Sequence, residues 1–469
     1  MKLTNDPKRI NRQALAKVLP FVTIGVAAFI FLSLHFGWLY HFFQGSDTAE
    51  FTGGADYFSA PKAYVNLLAG HSVYDSWGLP SYNGGIAYTM YLAHPAFSVF
   101  VASWFSFFSP WTSYWLFVFF TMGVMAYCGH LIAGTTKDPL KKQLSYFILI
   151  CSFVTYYLLY LGNIHGVFVL GITFIFVGVF DLTYGSDARM ANGKILAGLL
   201  ISLFTKPVAL LMMPLLLLTK ETRVTALKAL AIYAFVSFLF IVLPIFNPEG
   251  IGLSRLAHIV FDFNFIRQNM DIHLTHSVNE YMKDNSFHWL SLIAQSDQRF
   301  SHIQNISFPV FMDTLTGHNL PSFIYQLPLY ISIILSAVIP FVRKKRIRLE
   351  STLLLLFAIS LLYFISYSYA WEYQLTSVLP AMALLPSLSE KNVFYKRYIP
   401  LMFCLGMMVS LPALYFLHRP NGMVDYPAYT WARLDRIVPV YLLFWTMILQ
   451  IIVIARGRLI EMGPKTQTA

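Results

Sequence analysis

Charged side chains are scarce in this chain of 469 residues, because Asp, Glu, Lys and Arg together make up only 12% of it. A soluble globular protein carries roughly 25% charged residues. This chain is instead 57% hydrophobic, with a mean hydropathy of +0.60, and long apolar runs recur along it. The composition excludes an ordinary soluble domain and predicts an all-α polytopic membrane protein.

Cysteine and the common nucleotide motifs are also lacking. The three cysteines, Cys128, Cys151 and Cys404, lie within apolar runs, which argues against a disulfide framework or a zinc site. The sequence contains no Walker loop, no dinucleotide-binding glycine pattern and no zinc-protease motif. It also contains no cluster of carboxylates and histidines with metal-ligand spacing. We therefore expect no cofactor and no metal ion.

A net charge of +11 is the one property that would suit nucleic acid. The basic residues, however, gather between the apolar runs, where the positive-inside rule places them on the cytoplasmic side of a membrane. We therefore expect no nucleic-acid partner, and lysine and arginine can be used to orient the chain.

About 12 membrane segments agree best with that rule. The first, from near Lys17 to about Phe43, is too long for the core of a signal peptide, and we expect it to be retained. Two stretches are ambiguous. Residues 92–109 either span or lie along the membrane surface, and residues 194–219 form either one helix or a hairpin broken at Lys206 by the proline that follows. A surface position for the first and a hairpin for the second put most basic residues on one side.

The other polar features then collect on the opposite, outer face. They lie mainly in an outer loop over residues 44–110 and in a long outer loop over residues 247–321. A transporter usually places ionisable groups at the middle of the membrane. The asymmetry instead suggests an active site at the outer surface that acts on a lipid substrate. We predict one integral-membrane domain over residues 1–469, with both ends cytoplasmic.

Several motifs follow one another in a distinctive order between residues 50 and 390. The outer loop reads ADYFSAPKAYVNLLAGHSVYD, and it is followed by YLAHPAFSVF, a GNIHG turn, AGLLISLFTKPVALLMMPLLLL and YAWEYQLTSVLPAMALL. Their order and spacing resemble glycosyltransferase family 87, the polytopic mannosyltransferases and arabinofuranosyltransferases that use polyprenyl-phosphate sugars. The resemblance implies a GT-C fold with interfacial helices in the first outer loop.

The chain departs from that family pattern in three places. His94 stands where the family has the first of two prolines. In the turn after Gly162, Asn163 stands where the family has glutamine and His165 where it has asparagine. Tyr373 and Gln374 occupy the positions of paired histidines that follow a tryptophan. The absence of both histidines removes the basis for carrying over a role in proton handling or phosphate contact to that stretch.

The resemblance implies transfer of a sugar, mannose by family majority, from a polyprenyl-monophosphate donor to an acceptor hydroxyl. The acceptor is a glycolipid, a polysaccharide or a protein, and the reaction takes place on the periplasmic side of a bacterial inner membrane, in contact with membrane lipid. Two other functions stay open at this point. One is a membrane enzyme similar to O-antigen ligases or acyltransferases, and the other is a lipid or sugar transporter.

Sugar transfer needs a base for the acceptor proton, cations or hydrogen-bond donors for the departing phosphate, and polar or aromatic groups for the sugar. Asp56 is the candidate catalytic base. The alternative is that Asp56 caps the helix predicted to begin near Phe58. Asp75 closes the same motif and is predicted to be a structural turn residue.

Lys206 is the first candidate for the donor phosphate, and the alternative is a lysine that extends from an apolar segment to the membrane surface. Arg267 is a second phosphate candidate, and His273, His276 and His288 lie in the same long loop. The remaining candidates for contact with the sugar or the phosphate are Asn163, His165, Trp371, Glu372 and Gln374. For these, the alternatives are a helix cap at the GNIHG turn and an interfacial tryptophan.

Overall fold

The computed structural model describes residues 7–39, 53–54, 56–68, 93–185, 187–242, 307–316, 321–366, 370, 372–391, 395–412 and 434–460. Every regular element within these ranges is a helix. The predicted all-α class is therefore confirmed for the part of the chain that the structure describes.

We number the α-helices of these ranges in chain order. They are α1 (Pro7–Phe36), α2 (Ser59–Leu68), α3 (Pro95–Phe105, with a π-helical turn), α4 (Pro110–Ala133), α5 (Pro139–Cys151), α6 (Phe153–Leu161), α7 (His165–Tyr184), α8 (Ala188–Thr205), α9 (Met213–Leu218), α10 (Arg223–Ser237), α11 (Phe308–Thr316), α12 (Ser322–Val338), α13 (Lys345–Ile365), α14 (Leu379–Lys391), α15 (Tyr395–Ser410) and α16 (Leu434–Ile460). Short 3-10 helices cover Pro207–Met212 before α9 and Glu372–Val378 before α14.

Six of the described helices are long and apolar enough to cross a membrane, or seven segments if α5 and α6, which are bent by 42° at their junction, form one span. Large apolar side chains point outward from these helices, for example Phe21 and Ile24 on α1 and Phe323 and Ile333 on α12. Contiguous apolar surface of this kind is stable in lipid and unfavourable in water. The helices thus support a membrane-embedded protein, while the number of 12 spans stays a prediction.

The stretch 92–109 contains only the short helix α3. At 1.5 Å per residue, Pro95–Phe105 extends over about 16 Å, roughly half the ~30 Å thickness of the hydrocarbon core. Within residues 93–109 there is thus no helix long enough to span, and the surface position of the stretch stays a prediction.

Ion pairs gather at one end of the helix bundle, which we call the charged end. The pairs are Arg12–Asp138 (3.4 Å), Lys141–Glu390 (2.8 Å), Lys194–Asp181 (2.7 Å) and Arg348–Glu221. They join the beginning of α1 to the α4–α5 connection, the beginning of α5 to the end of α14, α7 to α8, and the beginning of α13 to the α9–α10 connection. These are the connections that the distribution of lysine and arginine predicts to be cytoplasmic.

Residues 194–219 form a hairpin whose tip is Lys206. Helix α8 ends there, Lys206 is extended (φ −144°, ψ 130°), and a 3-10 helix starts at Pro207. The hydroxyl of Thr225, just after the second arm, donates to the side-chain oxygen of Asn192, near the start of the first arm, at 2.7 Å. The predicted break is confirmed, because proline disfavours helical geometry in the residue before it. Lys206 therefore lies at the end of the bundle opposite the charged end.

Candidate functional site

Asp56 lies in a turn that is attached to the end of α6. The backbone N–H of Gly54 donates to the carbonyl of Tyr160 (2.7 Å), and those of Asp56 and Tyr57 donate to the carbonyl of Leu161 (3.0 and 3.1 Å). The last carbonyls of a helix have no partner within the helix. The turn satisfies these groups, and this fixes where the Asp56 side chain starts.

Asn163 orients the carboxylate of Asp56. Its Nδ2 donates to Oδ2 of Asp56 at 2.7 Å, and its Oδ1 accepts from the backbone N–H of His165 at 2.8 Å. Because a backbone N–H can only donate, the amide orientation is determined, and the NH₂ group must face the carboxylate. Asp56 is half-buried, whereas Asn163 is buried. The hydrogen bond from Asn163 therefore fixes the position of one carboxylate oxygen of a side chain that is only partly buried.

Gly162 makes this arrangement possible, and its replacement by alanine is expected to destabilise the protein by about 2 kcal/mol or more. Gly162 has φ +66°, and a Cβ there would lie 2.5 Å from Cβ of Tyr57 and 3.2 Å from the ring of Tyr114. Thermal unfolding in detergent measures the effect. Gly193→Ala is the matched control, because its Cβ would meet nothing within 4 Å in helix α8, so it should be neutral or stabilising.

His165, the first residue of α7, is buried with a fixed proton position. Its Nε2 lies 3.1 Å from the backbone oxygen of Gln374. A carbonyl oxygen only accepts, so Nε2 carries the hydrogen. Nδ1 has no hydrogen-bond partner among the described residues. In the neutral ring this nitrogen is an acceptor, and it is available to a hydroxyl group.

Lys206 is buried, with 4% of its surface exposed, and its ammonium has no hydrogen bond or ion pair within the described ranges. It belongs to none of the segments that are long enough to span. Burial lowers the pKa of Lys206 from 10.5 to about 8, and attraction by Asp56 partly opposes this shift. Lys206 also interacts electrostatically with His165. A buried cation that makes no hydrogen bond or close ion pair is costly, so an anion that reaches it would be bound strongly.

The structure thus brings together five predicted residues that come from separate parts of the sequence. Asp56 bonds to Asn163, His165 bonds to the backbone of Gln374, and Lys206 interacts with both Asp56 and His165. The predicted residues that lie outside the described ranges are Asp75, Arg267, His273, His276, His288 and Trp371.

Glu372 lies on the same 3-10 helix as Gln374, but its carboxylate is occupied by Arg436 at the start of α16. Nε of Arg436 donates to Oε1 of Glu372 at 2.5 Å, and both side chains are at most 1% exposed. The sequence does not single out Arg436 by itself, because its partner Glu372 is 64 positions away. The available signal was an arginine at the very edge of an apolar run, where a buried carboxylate partner is expected.

His94 is a second residue whose role the sequence did not reveal. Its Nδ1 accepts from the N–H of Ala96 and so caps α3, and its Nε2 lies 3.1 Å from the hydroxyl of Ser237 on α10. Its own N–H donates to the carbonyl of Phe204, just before the hairpin tip. Burial lowers the pKa of His94 to about 3, so the ring is neutral. His94 therefore joins α3 to α8, which ends at Lys206, and to α10.

Comparison with protein-family models, with curated proteins and with solved structures finds no match. Within the described ranges, no group of three or more His, Cys, Asp or Glu side chains is placed to hold a metal ion. The functional assignment therefore rests on the chemistry of the residues around Asp56 and Lys206.

Proposed function

We propose that this protein is a membrane glycosyltransferase of the GT-C type, similar to family 87, which uses a polyprenyl-monophosphate sugar as donor. The observation that carries the proposal is the meeting of an oriented carboxylate, Asp56, and a buried, unpaired ammonium, Lys206, at the end of the bundle opposite the charged end. The carboxylate can take the proton of the acceptor and the ammonium can bind the phosphate. Transfer of a sugar from a phosphate donor needs both.

Asp56 acts as the general base. It takes the proton of the acceptor hydroxyl while the acceptor oxygen forms a bond to the anomeric carbon of the sugar. The bond between that carbon and the phosphate oxygen breaks, and its electron pair stays with the phosphate. Asn163 holds one carboxylate oxygen by its Nδ2 donor, which orients the carboxylate for proton transfer.

Lys206 stabilises the departing phosphate. The donor is a phosphodiester, and its phosphate gains negative charge as the sugar leaves. An ammonium next to it therefore binds the transition state more tightly than the ground state, which is the condition for catalysis. The low exposure of Lys206 strengthens this interaction, because charges interact more strongly where water is excluded.

His165 is better suited to a sugar hydroxyl than to the phosphate. With the hydrogen on Nε2 committed to Gln374, the neutral ring offers only the lone pair of Nδ1. A lone pair accepts from a hydroxyl and repels a phosphate oxygen. The proposal therefore assigns His165 to a sugar hydroxyl, not to the phosphate.

The proposal places the site on the periplasmic face of a bacterial inner membrane, in a fold of about 12 membrane segments. The charged end then faces the cytoplasm, which agrees with its content of lysine and arginine. The acceptor hydroxyl belongs to a glycolipid, a polysaccharide or a protein. The polyprenyl chain of the donor lies among the apolar outer surfaces of the helices.

Purified protein is expected to consume a polyprenyl-monophosphate sugar in a panel of such donors offered with lipid, polysaccharide and peptide acceptors. Turnover should continue in EDTA, because one ammonium offsets much of the charge of a monophosphate. Loss of the donor and appearance of glycosylated acceptor, both measured by mass spectrometry, test this. Consumption of pyrophosphate-linked or acyl donors only would contradict the proposal. Loss of activity in EDTA that a divalent cation restores would show that a metal ion takes part.

A further inference from the structure

A buried arginine at the start of α16 connects three parts of the chain. Besides its bond to Glu372, Arg436 donates from Nη1 to the carbonyl of Met408 at 2.9 Å and from Nη2 to the carbonyl of Leu411. These carbonyls lie at the end of α15, where the helix has no partners of its own for them. All of the guanidinium nitrogens thus have protein acceptors, and none is needed by a ligand.

The ion pair between Arg436 and Glu372 is connected to the candidate site through the 3-10 helix. Glu372 begins the 3-10 helix Glu372–Val378, and two residues later the carbonyl of Gln374 accepts from Nε2 of His165. His165 is bonded in turn through its backbone to Asn163, which orients Asp56. A continuous series of contacts therefore leads from α16 to the proposed base.

We propose that Arg436 is a positioning residue: through Glu372 it holds the 3-10 helix so that the carbonyl of Gln374 fixes the tautomer of His165 and leaves Nδ1 for a substrate hydroxyl. Glu372 then acts through this contact, and its carboxylate does not bind the donor. The inference rests on the proposed function for its activity measurements. The expected tautomer of His165 is independent of the proposed function.

Stability alone does not account for such a pair. Two charges removed from water lose hydration, and replacing both by neutral groups is often neutral or stabilising, whereas removing one leaves an uncompensated charge. A pair that serves only stability should therefore be replaceable as a unit. A pair that positions the 3-10 helix should not be replaceable in this way, because two neutral side chains no longer fix the position of Gln374.

The test compares Arg436→Met, Glu372→Gln and the double variant by thermal unfolding in detergent and by kcat/KM for the donor. Each single variant should unfold at a lower temperature. The double variant should be more stable than either single variant, although the two α15 carbonyls still lack their donor, and its kcat/KM should stay about 100-fold below the wild-type value, the loss typical of a small misplacement at a site. Recovery of kcat/KM together with stability would overturn the inference.

Arg436→Lys serves as the conservative variant. It keeps a positive charge opposite Glu372 but lacks the planar fork that reaches the two α15 carbonyls. Its kcat/KM should exceed that of the double variant. A stable Arg436→Lys protein as inactive as the double variant would show that the ion pair is not what positions the site.

The buried pair Arg348–Glu221 is the matched control, because its exposures of 2% and 11% are similarly low and it lies at the charged end. The double variant Arg348→Met with Glu221→Gln should leave kcat/KM at the wild-type value. A 100-fold loss there as well would mean that any buried ion pair has this effect, and the inference would fail.

Nitrogen NMR of protein labelled with ¹⁵N-histidine tests the inference without an activity assay. The His165 signal, assigned by its loss in His165→Gln, should show hydrogen on Nε2 in the wild type and should change in the Arg436→Met, Glu372→Gln double variant. An unchanged His165 signal in the double variant would overturn the inference. If the wild type consumes no donor while the signal changes as expected, the proposed function fails and the positioning role stands.

Discussion

Asp56→Asn is expected to lower the rate of sugar transfer by about 100-fold or more while the protein still folds and binds its donor. Asparagine has the size of aspartate, and its side-chain oxygen can still accept from Nδ2 of Asn163, which now holds the carboxylate at 2.7 Å. What asparagine cannot do is take a proton from the acceptor. The loss should therefore fall on kcat and leave donor KM and unfolding temperature close to the wild-type values.

Asp187→Asn is the matched control for this substitution. Asp187 caps α8 by accepting from the N–H groups of Arg189 and Met190, and asparagine is an equally good cap. This variant should keep wild-type stability and turnover. Asp75→Asn, in the same motif as Asp56, should also have a far smaller effect. Normal turnover in a well-folded Asp56→Asn protein would mean that Asp56 is structural and that the proposed base is wrong.

Lys206→Met is expected to lower kcat/KM for the donor by about 10- to 1000-fold, the range for removing one group that stabilises transition-state charge. The same substitution should raise the stability of the protein without donor, because methionine fills similar space without a buried, unpaired charge. Kinetic and unfolding measurements on this variant should therefore show a loss of activity together with a gain in stability.

The pH dependence of both quantities follows from the lowered pKa of Lys206. In the unfolded chain the group titrates near 10.5 and in the folded protein near 8. The unfolded state therefore binds more protons between these values, and the wild type should gain stability as pH rises from 8 towards 10.5. Below pH 8 Lys206 is charged in both states, and its burial then destabilises the folded protein by about 3 kcal/mol, the value for such a pKa difference. Lys206→Met should lack this dependence, and wild-type transfer should decline as pH rises through about 8.

Lys194→Met, on the same helix α8, provides the control. Lys194 pairs with Asp181 at 2.7 Å with both side chains partly exposed, so its loss should change stability by less than about 1 kcal/mol and leave transfer unchanged. Unaltered kcat and KM in Lys206→Met would favour the alternative in which Lys206 only extends to the membrane surface. A loss of stability in that variant would show that its ammonium has a stabilising partner.

Local features of the sequence were sufficient for much of the fold. The apolar runs predicted the helices, and the dipeptide Lys206-Pro207 predicted the break in the hairpin, because proline restricts its own backbone and that of the residue before it. The short helix α3 was likewise consistent with a stretch that does not span. These properties depend on neighbours in the chain, so the sequence is enough to infer them.

Other features depend on residues far apart in the chain, and the sequence did not reveal them. Asp56 and Asn163 meet across 107 positions only because the turn at Gly54 satisfies the free carbonyls at the end of α6. Glu372 has a carboxylate typical of sugar contact, but the packing of α16 places Arg436 against it across 64 positions. Such pairings are set by how helices pack and by the cost of an unpaired buried charge, which appear only when the whole chain is folded.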